Sequence, residues 1–382
     1  MIYWSQKQLL VAVTAGLFGA FMLQISVAPA VASNGKYATG KSPYRCTPSN
    51  RPRLKLLFLS NRPGGALDGN YDLYRANLDG SEVVRITDFP DYSVRWFDRD
   101  INSGRLVVAA SSDGDLSVGP SGHHGGAKNG EQAIAILAAD STMRFLVDIR
   151  HRDSNPEKFV GVWHPTFSPD GQRIVYAGTK HGQSANIWIQ NTDGSGLRRL
   201  IDDPHRTHQD PRFTADGRIV FVRHDKKGLG QLTDPNGLNI WIMDPDEPSS
   251  ARPVVNEDLI AGSSRVETDP AMSPDCAWII SIRAAERIGL RTIFRPASDN
   301  VIFPVIGIGQ EPIRVLQKGV NPLRVHGVPS WIDSETLLSY RWEAGKKGWR
   351  VIRYRIDAKD GDVEILDLGA PVGAEDLLPL AY

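Results

Sequence analysis

Several features that would define a function directly are missing from this sequence of 382 residues. It contains only two cysteines, Cys46 and Cys276, and no Cys-x-x-Cys-His motif, so it cannot attach a c-type haem covalently through that motif. It also lacks a Gly-x-Ser-x-Gly nucleophile elbow, which argues against a hydrolase built on that turn. Two interpretations of the cysteines stay open: a disulfide in an oxidising compartment, or one surface thiol and one buried thiol.

The sequence carries no net charge. Lys plus Arg and Asp plus Glu are equal at 44 each, and the formal charge is +0 at pH 7. Because no overall positive field attracts the protein to phosphates, we expect no nucleic-acid partner.

Long apolar runs are absent except at the N-terminus, where residues 9–22 follow Lys7. The small residues Ala30-Val31-Ala32 come next and are typical of a secretory cleavage site. We therefore predict a signal peptide over residues 1–32, an N-terminal extension over 33–53, and no membrane span after cleavage. The alternative is an uncleaved anchor, because residues 9–32 are long enough to cross a bilayer. Either interpretation predicts export to the periplasm or another extracytoplasmic compartment.

A repeated order of short segments organises the rest of the chain. One copy reads Ser168-Pro169-Asp170-Gly171, then Arg173 to Tyr176, then Asn186-Ile187-Trp188. The same order of segments returns from Phe213. It returns again at residues 56–87, where the first segment is missing. Weaker copies begin at Val94, Pro270 and Pro329, which makes six units. In the fifth unit, we place the third strand near residues 292–295. A seventh unit inside the long second copy is the alternative.

Each unit consists of four short β-branched and aromatic segments separated by Gly, Asp and Pro, as an antiparallel sheet requires. Sheets of this size leave both faces exposed to solvent unless they pack radially around an axis. The sequence therefore predicts an all-β fold, a propeller of six four-stranded antiparallel blades over residues 54–382. Because the first unit lacks a clean inner strand, we expect residues 376–382 to complete it and close the ring.

The Ser168-Pro169-Asp170-Gly171 turn, followed by Arg173 to Tyr176 and Asn186-Ile187-Trp188, resembles the repeat of the TolB-like, WD40-like propeller family. This resemblance covers almost the whole mature chain and implies the fold more strongly than the function. It leaves no room, between residues 33 and 54, for the α/β domain that accompanies the propeller in TolB translocation proteins. Propeller subunits of this type also accompany haem-bearing chains in complexes such as hydrazine synthase.

Long insertions concentrate in the loops between second and third strands and between successive blades, which open on one face. Loops on a rigid scaffold commonly carry binding, so we predict that this face docks a partner. The predicted contact residues are His123 and His124 in a glycine-rich loop, and Lys226 and Lys227 in another. The glycines favour a flexible docking loop over a preformed site.

The residues that immediately precede the six inner strands are expected to form a ring at the mouth of the central channel. These residues are Ser93, His164, Asp210, Asp269, Val328 and Leu378. Imidazoles with carboxylates suit a divalent metal, and the resemblance extends to oligogalacturonate lyases, in which His and Gln side chains hold a metal in such a channel. The candidate ligands are His164, His205, His208, Asp210, Asp269 and His326. Such side chains also bind water or cap loop amides in propeller mouths.

Two function hypotheses follow. The first is a non-catalytic extracytoplasmic scaffold or structural subunit that binds a protein partner and carries no cofactor itself. Its candidate partners include the haem-bearing chains of a redox complex of the hydrazine synthase type. The alternative is a metal-dependent lyase or binding protein for acidic saccharides, with Arg206, Arg265 and Arg324 available to hold the sugar acid.

Overall fold

In this computed structural model, contacts divide the chain into residues 1–37 and 38–382. The structure describes residues 46, 55–64, 70–111, 133–138, 142–225, 239–254, 266–284, 298–305, 313–315, 324–343, 348–358, 363–371 and 374–382. Within these ranges, no helix is both long enough and apolar enough to cross a membrane. The predicted signal peptide lies outside the described residues.

The described strands form six antiparallel blades, which confirms the predicted all-β six-bladed propeller. Blade 1 contains β1 (Lys55–Ser60), β2 (Asp72–Asn77) and β3 (Val84–Arg85), and its inner strand is β25 (Asp376–Ala381). β25 pairs antiparallel with β1, from Leu56 opposite Ala381 to Ser60 opposite Asp376. The inner strand of the first blade therefore comes from the far end of the chain and closes the ring.

The other blades follow in chain order, each from its inner to its outer strand. Blade 2 has β4 (Ser93–Arg99), β5 (Leu106–Ser111), β6 (Ala133–Leu137) and β7 (Met143–Asp148). Blade 3 has β8 (Phe159–Phe167), β9 (Arg173–Lys180), β10 (Asn186–Asn191) and β11 (Arg198–Arg199). Blade 4 has β12 (Arg206–Phe213), β13 (Ile219–Asp225), β14 (Asn239–Met243) and β15 (Arg252–Pro253). Blade 5 has β16 (Val266–Met272), β17 (Trp278–Ala284), β18 (Ser298–Pro304) and β19 (Ile313–Val315); blade 6 has β20 (Arg324–His326), β21 (Ser330–Trp331), β22 (Thr336–Glu343), β23 (Arg350–Arg355) and β24 (Glu364–Ile365). Single 3₁₀ turns occupy Arg152–Ser154 and Pro248–Ser250.

Two strand positions differ from the sequence prediction. The third strand of blade 5 is Ser298–Pro304, not residues 292–295, because seven consecutive residues there pair with Trp278–Ala284. The inner strand of blade 6 is interrupted: β20 and β21 both pair with β22 and together take the place of one strand. A single parallel pair, Ser298 with Val325, links blades 5 and 6.

The turns between first and second strands explain the repeated motif. In blade 3, the Ser168 hydroxyl donates to the Asp170 carboxylate, which also accepts the backbone N–H of Gln172. Thr214 with Asp216 and Ser273 with Asp275 repeat the first of these bonds. Gly171 completes the motif because its φ is +69° and a Cβ there would lie 2.5 Å from the Asp100 carboxylate of blade 2.

Apolar clusters fill all six interfaces between neighbouring blades. The cluster between blades 2 and 3, for example, joins Val107, Ile134 and Val147 to Phe159 and Tyr176. Similar clusters lie between blades 3 and 4, 4 and 5, 5 and 6, 6 and 1, and 1 and 2. The core is therefore a ring of six layers, and it leaves the axis to the inner strands.

Cys46 and Cys276 form a disulfide with a Cα–Cα distance of 5.6 Å. This resolves the two interpretations of the sequence in favour of pairing. Cys276 lies in the turn between the first two strands of blade 5, whereas Cys46 precedes β1 of blade 1. The bond thus connects two parts of the chain that are 230 residues apart.

Removal of this cross-link should destabilise the propeller. We expect Cys46→Ser, Cys276→Ser and the double variant each to lower the free energy of unfolding by about 2–5 kcal/mol, because the unfolded chain regains the freedom that the bond removes. Urea unfolding followed by tryptophan fluorescence measures the change. Reductant should lower the stability of the wild type to that of the double variant and leave the double variant unchanged. A wild type insensitive to reductant would contradict the pairing.

Candidate functional site

Four inner strands share an irregular step at an X-Pro dipeptide. His164, Asp210, Asp269 and Leu378 each precede a proline, and their φ angles are 54°, 53°, 51° and 49°. The strand register shifts at each of these steps, which marks a β-bulge. Consecutive blades 3, 4 and 5 thereby present an imidazole and two carboxylates at equivalent backbone positions.

Four of the six residues expected to ring the channel mouth, His164, Asp210, Asp269 and Leu378, lie inside inner strands and not before them. The inner strands of blades 3, 4 and 5 begin six, five and four residues earlier than expected, so His164, Asp210 and Asp269 lie within strands rather than before them. Ser93 begins β4, and its hydroxyl accepts the backbone N–H of Tyr71. Val328 is buried in the apolar cluster that also includes Leu377.

The three polar residues form one buried group, which we call the channel cluster (His164, Asp210, Asp269). His164 Nδ1 lies 2.9 Å from Asp210 Oδ1, and His164 Nε2 lies 3.8 Å from Asp269 Oδ1. The backbone N–H of Asp269 donates to Asp210 Oδ2 at 3.3 Å. The residues are 1%, 3% and 2% exposed. Three blades are therefore joined at the axis by polar contacts shielded from solvent.

Aromatic rings enclose the channel cluster. The indole of Trp96, from blade 2, lies against the His164 imidazole with 3.9 Å between ring centroids and an angle of 36° between the ring planes. Tyr340, from blade 6, is 1% exposed, and burial raises the pKa of its hydroxyl, with a further contribution from the Asp269 carboxylate. Electrostatic interactions are strong in such surroundings, because little water is present to screen them.

Arg212 belongs to the same region but was not among the predicted residues. Its guanidinium lies over the Trp96 ring at 5.1 Å and donates to the Pro329 carbonyl at 3.2 Å. Burial lowers the pKa of Arg212. Three carboxylates oppose that effect: those of Asp269, Asp98 and Asp210. Its sequence signal is an arginine two residues after Asp210. The other three X-Pro strands have Thr166, Ala271 and Leu380 at the equivalent position.

A cavity of about 340 Å³ occupies the channel between this arginine and the turns that join first and second strands. All six blades line it, with Tyr382, Trp96, Thr166, Arg212, Met272 and Trp331 as one residue from each. The cavity thus extends toward the face of the propeller that carries the short turns between first and second strands. From the sequence we expected a partner on the opposite face, whose longest loops, residues 112–132 and 226–238, lie outside the described residues.

The other predicted ligands do not join the channel cluster within the described part of the chain. His205 is exposed in the loop before β12, where its backbone N–H donates to Asp203. His208 is buried on β12, and its ring centroid lies 6.0 Å from that of Phe221. The side chain of His326 is outside the described residues, as are His123, His124, Lys226 and Lys227.

No protein-family model matches the sequence. The curated protein YuxL of Bacillus subtilis (strain 168), an uncharacterized peptidase, is 23% identical over 138 residues, which cover 30% of this chain and 21% of YuxL. The chain thus spans about a fifth of the curated relative it matches. TolB from Acinetobacter baumannii superposes with a TM-score of 0.54 at 13% identity, over 85% of this chain and 66% of TolB. Hydrazine synthase of Kuenenia stuttgartiensis gives 0.60 at 12% identity, over 87% of this chain and 47% of that chain.

These likenesses show the fold alone. The protein is a six-bladed β-propeller similar to the TolB propeller, with a buried channel cluster and a cavity at one end of the channel. The similarity to hydrazine synthase is a distant structural one.

We expect Arg212→Met to destabilise the protein by about 3–5 kcal/mol, because it leaves neighbouring buried carboxylates without their cation. The loss should shrink at acidic pH as carboxylates take up protons. Arg173→Met is the matched control: Arg173 pairs with the exposed Asp246 at 2.7 Å, so the change should cost less than about 1 kcal/mol. Urea unfolding of both variants at neutral and acidic pH measures the difference. Equal losses at neutral pH would contradict the assigned role.

Proposed function

We propose that this protein is an exported, non-catalytic propeller that binds a protein partner as a structural subunit of a larger complex. The observation that carries the proposal is the cavity at the end of the channel. Its volume of about 340 Å³ falls in the range of pockets that bury drug-sized ligands, roughly 300–1,000 Å³, so it can hold side chains of a partner segment. Because every blade contributes to its wall, the cavity is part of the rigid scaffold.

The wall of the cavity suits an extended segment of a partner protein. Tyr382, which is partly exposed, offers aromatic surface, and Ile101 is 57% exposed in the turn of blade 2 that lines the cavity. The guanidinium of Arg99 lies over the Tyr382 ring at 4.1 Å. Aromatic and arginine side chains are enriched at the energetic centres of interfaces. We therefore expect the partner segment to present an apolar side chain beside a carboxylate.

Export is supported by the disulfide. Disulfides form and persist in oxidising compartments, and Cys46 pairs with Cys276 here. The signal-like residues 1–32 are consistent with this location. A periplasmic or other extracytoplasmic site of action is thus part of the proposal.

The channel cluster supports a scaffold better than the alternative, a lyase or binding protein for acidic saccharides. A lyase needs its base and metal to meet the substrate. His164, Asp210 and Asp269 are at most 3% exposed, and Trp96 covers the imidazole. The arrangement therefore favours a cluster that holds blades together.

The loops of the opposite face remain a predicted second surface for the partner, through His123, His124, Lys226 and Lys227. A haem-bearing chain is the partner class that we propose, by analogy with the distant structural likeness to hydrazine synthase. Haem absorbance would identify such a partner in a complex.

Native mass spectrometry of the untagged protein from the extracytoplasmic fraction of its own host tests the proposal. We expect a defined complex of stable stoichiometry, and haem absorbance that co-purifies with it. Recovery of the wild type only as a monomer at native abundance would contradict the scaffold function.

A variant of the cavity rim locates the surface. Ile101→Asp should reduce recovery of the complex at least tenfold, because it places a charge in an apolar contact. Val84→Asp is the control, since Val84 is 46% exposed on the outer strand of blade 1 and far from the channel. Loss only in the quadruple alanine variant of His123, His124, Lys226 and Lys227 would move the surface to the opposite face.

A further inference from the structure

We propose that the channel cluster is a binding site for a divalent transition-metal ion, which links the inner strands of blades 3, 4 and 5. The ligands are one imidazole nitrogen of His164 and one carboxylate oxygen each from Asp210 and Asp269. The ion is structural: it holds the ring closed at the axis and takes no part in a reaction.

The positions of the ligand atoms carry the proposal. One nitrogen of His164 and one oxygen from each aspartate all lie within 4.8 Å of one another. Metal bonds to imidazole nitrogen and carboxylate oxygen are about 2.0–2.2 Å long, so two ligands of one ion are at most about 4.4 Å apart. Movements of well under 1 Å would therefore bring the three atoms to bonding distance of a common ion.

The backbone holds these ligands in place. All three occupy the bulged X-Pro step of a buried inner strand, with φ between 51° and 54°. The backbone N–H of Asp269 donates to Asp210 Oδ2, which restrains that carboxylate. Ligands on rigid strands with oriented carboxylates satisfy the requirements for a preorganised metal site.

The ligand set indicates the class of ion. An imidazole with two carboxylates suits first-row divalent ions such as Zn²⁺ or Mn²⁺, whereas Ca²⁺ and Mg²⁺ prefer oxygen ligands alone. The residues are 1–3% exposed, so a substrate could not reach the ion, which suits a structural rather than a catalytic role. Burial lowers the pKa of Arg212, and the carboxylates of Asp269, Asp98 and Asp210 oppose that effect, so these carboxylates attract a cation against the cost of its burial.

Leu378 provides a natural comparison within the same protein. It has the same bulged backbone in blade 1, with a φ of 49° and a following proline, but no ligand atom. The bulge is therefore a property of the fold, and the metal site depends on the three side chains that blades 3, 4 and 5 place on it.

Metal binding to the purified, disulfide-bonded chain tests the proposal. After dialysis against a chelator, calorimetric titration with Zn²⁺ and, separately, Mn²⁺ should show one equivalent bound for at least one ion, with a higher melting temperature. His164→Gln and Asp269→Asn should weaken binding at least tenfold and abolish the thermal shift. Leu378→Asn should behave as the wild type, and so should His205→Gln, since His205 is an exposed histidine outside the cluster.

Two outcomes would overturn the assignment. One is a wild type that binds neither ion and whose melting temperature is unaffected by chelator, which would make the cluster a hydrogen-bonded imidazole held between carboxylates. The other is binding that survives in His164→Gln but disappears in a His123→Ala/His124→Ala variant. If the cluster variants do not fold, X-ray absorption of the zinc-loaded wild type decides: one imidazole with oxygen ligands supports the site, and two or more imidazoles overturn it. Partner binding in the native complex is measured separately, so this inference and the scaffold proposal can fail independently.

Discussion

Each blade of this propeller is a sheet with two apolar faces, and the burial of both faces is the constraint on which the rest of the structure depends. β9 shows it within one strand. Ile174 and Tyr176 pack into the cluster shared with blade 2, whereas Val175, between them in sequence, packs into the cluster shared with blade 4. Side chains alternate across a strand, so an uncovered blade would expose one full set of them. Only a closed ring covers all twelve faces, and the pairing of β25 with β1 supplies that closure.

Closure of the ring brings six inner strands together at the axis, where the chemistry differs from that of the blades. The bulged backbone at the axis is independent of the side chain that it carries, because Leu378 adopts nearly the same φ as His164. Polar side chains at such a position are costly unless they are paired. Asp210 meets this requirement by accepting the backbone N–H of Asp269 and by lying beside the His164 imidazole. The channel cluster therefore reflects the particular residues of blades 3, 4 and 5, on a backbone that the fold supplies.

Much of this arrangement can be predicted from the sequence, because a repeat reports the same local structure several times. The Ser168-Pro169-Asp170-Gly171 turn, and the equivalence of His164, Asp210 and Asp269, follow from comparison of the repeats alone. The predicted position of the third strand of blade 5 was wrong because residues 292–295 are also rich in β-branched and apolar side chains. Only the pairing with β17 identifies Ser298–Pro304 as the strand. Arg212 was missed because its role depends on contacts to Trp96 and Pro329, which lie more than 100 residues away in the chain. Such contacts form only when the closed ring brings the inner strands of different blades together at the axis.

Two different features occupy the channel. Its centre is filled by the channel cluster and by Arg212, whereas the end beside the short turns contains the cavity. A partner segment in that cavity would contact inner strands of every blade at once, whereas a partner on a single surface loop contacts one blade or two. Anything that binds only the closed ring stabilises it by mass action. Binding at the cavity would therefore strengthen the same closure that β25 provides, and a metal ion at the channel cluster would act on the same inner strands from the centre of the channel. Partner binding and the stability of the ring are thus expected to be coupled, as suits the scaffold function that we propose.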